Sequence, residues 1–187
     1  VSWDKTQEGN TLKYWAKSLG LEPTVENGAE LVIKAQLNGG ASAIYHAMDE
    51  GDVENIMKHP LTMIASDGRL VVPGEGHPHP RWYGTFPRVL GLFVREKQVL
   101  PLEEAIYKMS FLPAKTIGIK RRGLIKKGMF ADITIFDKNT IIDRATFEKP
   151  HQYSEGIHYV LVNGELAIDN GEFQNIKAGK VLRKNSD

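Results

Sequence analysis

Ala41-Ser42-Ala43-Ile44-Tyr45-His46-Ala47-Met48 and Leu61-Thr62-Met63-Ile64-Ala65-Ser66 are two short, largely apolar runs. Between them Asp49 and Asp52 offer helix-capping side chains, and Val53, Ile56 and Met57 recur at i, i+3 and i+4. His59-Pro60 closes that helix, because the residue before a proline is pushed out of the helical region. The second run is continuous and apolar, as in a parallel strand buried on both faces. Residues 41–66 therefore read as strand, helix and strand, the repeating unit of a parallel sheet or barrel.

Working outward, residues 11–20 and 28–38 read as helices, the second ending at Gly39-Gly40. Residues 68–86 are rich in glycine and proline and read as loop. Pro87 is suited to open a helix whose apolar stripe is Val89, Leu90, Phe93 and Val94. Further helices are expected from Leu102 and from Pro113, the latter stopping at Gly118. The character then changes. Ala131–Phe136 alternates apolar and polar residues, the period of a half-buried strand. Asn163-Gly164 between two strand-like runs is a hairpin signal, and Asn170-Gly171 is a second turn of that kind. The boundary expected is near residue 122, with an α/β part over 1–122 and a small antiparallel β part over 123–187.

The chain of 187 residues is 41% hydrophobic and 25% charged, an ordinary globular composition. Its 24 basic and 23 acidic residues nearly cancel, which leaves no electrostatic footprint for nucleic acid or an anionic membrane. The basic run Lys120-Arg121-Arg122 with Lys126-Lys127 lacks interleaved aromatics and reads as a solvated face. With no cysteine, disulfides and thiolate metal sites are excluded. No apolar run is long enough to span a membrane, no signal peptide opens the chain, and a cytoplasmic location is the expectation. The strand-like start at Val1-Ser2-Trp3, without methionine, points to a piece of a longer protein.

Asp67 follows the second apolar run directly. In parallel α/β structures functional groups gather at the carboxyl ends of strands, so this carboxylate faces an active-site mouth or else caps a turn. His77-Pro78-His79-Pro80-Arg81 holds a His-x-His spacing. Alternating prolines keep it out of a central strand, which weighs against paired metal ligation. Alone, Arg81 reads as a surface arginine.

Three stretches carry a resemblance: Met63-Ile64-Ala65-Ser66-Asp67-Gly68, the His77–Arg81 cluster, and Gly84-Thr85-Phe86-Pro87-Arg88-Val89-Leu90-Gly91. With Leu112-Pro113-Ala114, Ala131-Asp132 and Val162-Asn163-Gly164, they resemble the N-acyl-D-amino-acid deacylase (D-aminoacylase) family of the amidohydrolase superfamily. The resemblance implies an α/β fold: the last strands and helices of a metal-dependent (β/α) barrel, then the C-terminal strands of a small β-sandwich. It implies that Asp67 approaches the metal and acts as general base and then general acid. Zinc would lower the pKa of a bound water and polarise the scissile carbonyl. It implies that Arg81 grips the substrate carboxylate through a guanidinium fork, with His79 and, more weakly, Tyr45 lining the pocket. The substrate implied is an N-acyl amino acid, and the loop from Gly68 to Pro80 is expected near the mouth, tuning substrate choice.

The family's histidine-rich metal site has no counterpart among His46, His59, His151 and His158, and a full barrel takes about 250 residues. The expectation is a piece that is inactive by itself and that pairs with the missing N-terminal barrel portion or with itself. Two other readings are a cyclic-amide amidohydrolase, like hydantoinases and dihydroorotases, and a non-catalytic α+β assembly module.

Overall fold

The computed structural model describes residues 3–183, so Val1 and Ser2 of the strand-like start and the last four residues of the β part lie outside the described residues. After a 3-10 turn at Lys5–Gln7 come α1 (Leu12–Ser18) and α2 (Val25–Leu37). Thr11 and Thr24 cap them, each hydroxyl accepting a backbone N–H from three residues on. Trp15 and Ala16 of α1 bury themselves against Leu31 and Ala35 of α2, and Trp3 closes over them. The second helix begins earlier than its apolar spacing indicates, because Thr24 rather than the first apolar residue sets its start.

Helix α3 (Glu50–Lys58) is capped by Asp49 and ends at His59, as expected. Neither flanking run is a strand. Residues 41–48 and 61–66 make no sheet ladder, which corrects the strand–helix–strand expectation as far as the described residues go. A strand exists only through the hydrogen bonds of a neighbour, and no described residue offers one. The N–H of Ile64 turns instead to the carbonyl of Lys108 at 3.1 Å.

Helix α4 (Arg81–Arg88) starts where a loop was expected and has Pro87 in its interior. It runs on as a π-helix over Val89–Glu96. Proline leaves the carbonyl four residues back without its helical donor. Here that carbonyl, of Tyr83, accepts the hydroxyl of Ser154 at 3.3 Å, so the helix continues through the proline. Helices α5 (Leu102–Met109) and α6 (Phe111–Ile117) follow, and Gly118 ends α6 at φ 83°. Pro113 sits in the first turn of α6, where no helical N–H is missed. Val89, Phe93, Leu100 and Ala105 pack with Met57 into a second core that also receives Ile64.

The β part is a four-stranded antiparallel sheet in sequence order: β1 (Ile133–Phe136), β2 (Ile157–Val162), β3 (Glu165–Asp169) and β4 (Glu172–Phe173). Both Asn-Gly turns form as expected, with positive φ at Asn163, Gly164, Asn170 and Gly171. The sheet's entry and first hairpin are tied together by Asp132. Its carboxylate accepts the N–H of Asn163 at 2.8 Å and pairs with Arg122. The guanidinium of Arg122 also reaches the side-chain oxygen of Asn163 and lies over the ring of Phe130. Among the described residues no helix is long and apolar enough to cross a membrane.

Candidate functional site

The segment that leads to Asp67 is fastened to α5 by one residue. Lys108, with 1% of its side chain exposed, sends its ammonium to the carbonyls of His59 at 2.5 Å and Thr62 at 3.4 Å. Glu104 lies 3.5 Å away as counter-charge. Beyond this anchor the chain turns sharply. Ser66 Oγ accepts the N–H of Gly68 at 3.1 Å, and Asp67 adopts φ 45°. That left-handed conformation is uncommon for a residue with a Cβ, although aspartate tolerates it better than most.

The turn presents the Asp67 carboxylate, 83% exposed, to Arg81 Nη2 at 2.7 Å. Arg81 is the first residue of α4, and its backbone N–H donates to Nδ1 of His79 at 3.0 Å. An ion pair this exposed contributes about 0–1 kcal/mol, so its interest is placement rather than stability. It brings together a carboxylate able to move protons and a guanidinium able to bind carboxylates.

His79 is half-buried, its ring edge-on to Phe147 at 5.2 Å; His46 meets the same ring at 4.6 Å. Burial first, then the neighbouring guanidinium of Arg81, with smaller contributions from His46 and Arg88, hold the His79 imidazole below its ordinary pKa. A neutral ring with Nδ1 accepting from Arg81 carries its proton on Nε2. Asp67, Arg81 and His79 thus come together. Tyr45 does not join them: it is 83% exposed and hydrogen-bonds to none of the three, whereas the adjacent His46, also exposed, sets its ring edge-on to Phe147.

Sequence reasoning missed the clamp that holds the loop between Asp67 and Arg81. His151, from the segment between β1 and β2, takes the N–H of Gly74 on Nδ1 at 3.2 Å and meets the carbonyl of Gly76 with Nε2 at 2.9 Å. Tyr83 places its hydroxyl 2.8 Å from the same Nδ1. Nearby, Nε2 of His77 lies 2.6 Å from the carbonyl of Phe147. The available signal was the loop itself, whose many backbone polar groups need partners from elsewhere.

The chain matches the amidohydrolase family model over residues 15–168. The chain belongs to the amidohydrolase family. It is 43% identical over 159 residues to an N-acyl-D-glutamate deacylase of Alcaligenes xylosoxydans xylosoxydans, a match that covers 85% of this chain and 32% of that protein. A D-aminoacylase structure concerned with a binuclear metal centre superposes with a TM-score of 0.81 at 40% identity, over 92% of this chain and 34% of that one. An N-acyl-D-glutamate deacylase from Bordetella bronchiseptica, complexed with zinc and a phosphonate mimic of the tetrahedral intermediate, gives a TM-score of 0.72 at 40% identity, over 84% and 31%. This amidohydrolase chain thus spans about a third of the length of the relatives it matches.

The family resemblance implies zinc, and the donors present can be tested against it. A zinc site in a hydrolase takes three or four nitrogen, oxygen or sulfur ligands in tight geometry. Among the described residues no three His, Asp or Glu side chains converge, and Asp67 would bring a carboxylate that is turned to Arg81. The described residues do not by themselves fit the ion.

Proposed function

We propose that this chain contributes the proton-transfer carboxylate and the substrate-gripping arginine of an enzyme that cleaves the linear amide of N-acyl-D-amino acids. Its metal-binding side chains would come from other parts of a longer polypeptide, with residues 1–122 as the end of a barrel and 123–187 as part of a β-sandwich. The observation that carries the reading is the meeting of Asp67 and Arg81 at one loop mouth, 2.7 Å apart. In an N-acyl amino acid the α-carboxylate is two bonds from the amide nitrogen. Once an α-carboxylate takes the place of Asp67 on the guanidinium, the released Asp67 carboxylate would lie beside the amide nitrogen that needs a proton. Asp67 takes the proton of the attacking water and returns it to the leaving amine, which cannot depart as an anion. Arg81 binds the α-carboxylate, with His79 behind it as a neutral, fixed support.

The full-length protein, supplied with zinc, would be assayed on N-acetyl-D-glutamate, N-acetyl-D-aspartate and N-acetyl-D-methionine, on their L forms, and on dihydroorotate. Hydrolysis of D substrates is expected, with Asp67→Asn lowering kcat by about 10²–10⁴, the ordinary worth of a general acid–base. Turnover of the cyclic amide alone, or full activity in Asp67→Asn, would overturn the reading.

A further inference from the structure

We propose that His151 is a positioning residue for the substrate-binding loop, acting as a neutral imidazole that locks the turn between Gly74 and Gly76 and links it to the helix of Arg81. The inference rests on the deacylase reading for its kinetic consequence but not for its structural one.

The bonding pattern fixes the state of the ring. The N–H of Gly74 can only donate, so Nδ1 must offer a lone pair. The carbonyl of Gly76 can only accept, so Nε2 must carry the proton. One tautomer satisfies both, and the Tyr83 hydroxyl then donates to the same Nδ1. A second proton on the ring would set two donors against each other at Gly74.

The position of these bonds gives them leverage. Gly74 and Gly76 have φ of 85° and 68°, so the turn is held in a conformation available to glycine and weakly self-determined. A loop of this composition loses conformational entropy when ordered, and two bonds from a half-buried ring offset part of that loss. Tyr83 lies two residues after Arg81 on α4 and is ring-stacked edge-on with His151 at 5.7 Å. One imidazole therefore joins three elements: the loop that follows Asp67, the helix that begins with Arg81, and the segment preceding β2. His77 repeats the connection from the other side of the loop through the carbonyl of Phe147.

Because His151 touches the loop and α4 rather than Asp67 or Arg81, its loss should loosen substrate binding more than chemistry. Two variants of the full-length protein test this. His151→Phe keeps a flat ring without either bond; His151→Gln supplies one acceptor and one donor. Expected for His151→Phe is faster amide hydrogen exchange over residues 70–78, a KM raised about tenfold, as for a lost loop-ordering hydrogen bond, and a kcat within about twofold of wild type. His151→Gln should recover most of the protection and the KM. Unchanged exchange in His151→Phe, a loss confined to kcat, or a His151→Gln as impaired as His151→Phe would overturn the proposal. If His151→Phe does not fold, ring-nitrogen NMR of wild-type His151 decides alone: a proton on Nε2 supports the lock, and one on Nδ1 removes it. A wild-type protein without deacylase activity would end the functional reading while exchange and tautomer still judged the lock.

Discussion

Ser154 donates its hydroxyl to the carbonyl of Tyr83 at 3.3 Å, the one carbonyl that Pro87, four residues later, has no N–H to serve. The pairing lets a helix pass through a proline and thereby places Arg81 at its first turn rather than in a loop. Ser154→Ala should destabilise the protein by about 0.5–1.5 kcal/mol, the net worth of such a bond. In a Pro87→Ala background, where the helix can serve its own carbonyl, the cost should shrink. A double-mutant cycle by denaturant unfolding measures the coupling, and additivity would remove the compensation argument.

Gly91 explains why the Gly84–Gly91 stretch is so distinctive. A Cβ there would strike the side chain of Ile142 and come within 2.6 Å of the carbonyl of Ile141. At Gly84, about two turns earlier on the same face, a Cβ would strike Asp143. Arg88 between them binds the largely buried Asp143 carboxylate at 2.9 Å. This face of the helix is where the β part docks. Gly91→Ala should cost about 1–3 kcal/mol by overpacking, whereas Gly128→Ala, with nothing within 4 Å, meets only the strain of its φ of 88°. Thermal or denaturant melts of the two variants separate close packing from backbone conformation.

Lys108 should be the most costly side chain to remove near the site. Lys108→Met keeps the stem but leaves the carbonyls of His59 and Thr62 without their donor and Glu104 without its partner. The expected loss is about 2–4 kcal/mol, as for breaking a buried charged interaction. Since this residue also holds the segment leading to Asp67, faster hydrogen exchange around Ile64 should accompany the loss.

The legibility of the fold followed the range of the interactions. The Asn163-Gly164 and Asn170-Gly171 turns, the Asp49 cap and the stop at His59-Pro60 depend on a few adjacent residues, and each forms as read. The start of α4 was hidden because Pro87 is a strong local signal for a helix start and its compensation, Ser154, lies far along the chain. The runs at 41–48 and 61–66 have strand composition, but composition cannot supply a neighbour. For the site, Asp67, Arg81 and His79 were legible through resemblance and stand together. Tyr45 stands apart because its reading rested on a strand that does not form here. His151 escaped because nothing local to it announces partners that lie 75 and 77 residues earlier in the chain.

Asp132 makes the β part sensitive to acid. Burial pushes its carboxyl up, but the N–H of Asn163 and the guanidinium of Arg122 outweigh it, and the net shift is downward from 3.8. A carboxyl with a lower pKa folded than unfolded stabilises the fold above its unfolded pKa, and that contribution is lost as pH falls through the folded one. Asp132→Asn keeps an acceptor for Asn163 but gives up the charge on Arg122. The stability gap between wild type and variant should be constant near neutrality and close below about pH 4. A gap that persists in acid would assign the effect to packing instead.

Arg81 offers the sharpest functional prediction, because its present partner is itself a carboxylate. In the free chain Asp67 occupies the guanidinium at 2.7 Å. On the proposed reading a substrate carboxylate would take that place, and in doing so would free Asp67 for proton transfer. Arg81→Lys keeps one charge but loses the fork that binds two oxygens at once. Arg81→Met removes both. In the full-length protein KM should rise in the order wild type, Lys, Met, by about 10–100-fold at the end of the series, the worth of a charge-assisted hydrogen bond. An N-acyl amine lacking the α-carboxylate supplies the control: it has nothing for Arg81 to hold, so its hydrolysis should be insensitive to the substitution. Equal damage to both substrates would mean that Arg81 supports Asp67 rather than the substrate.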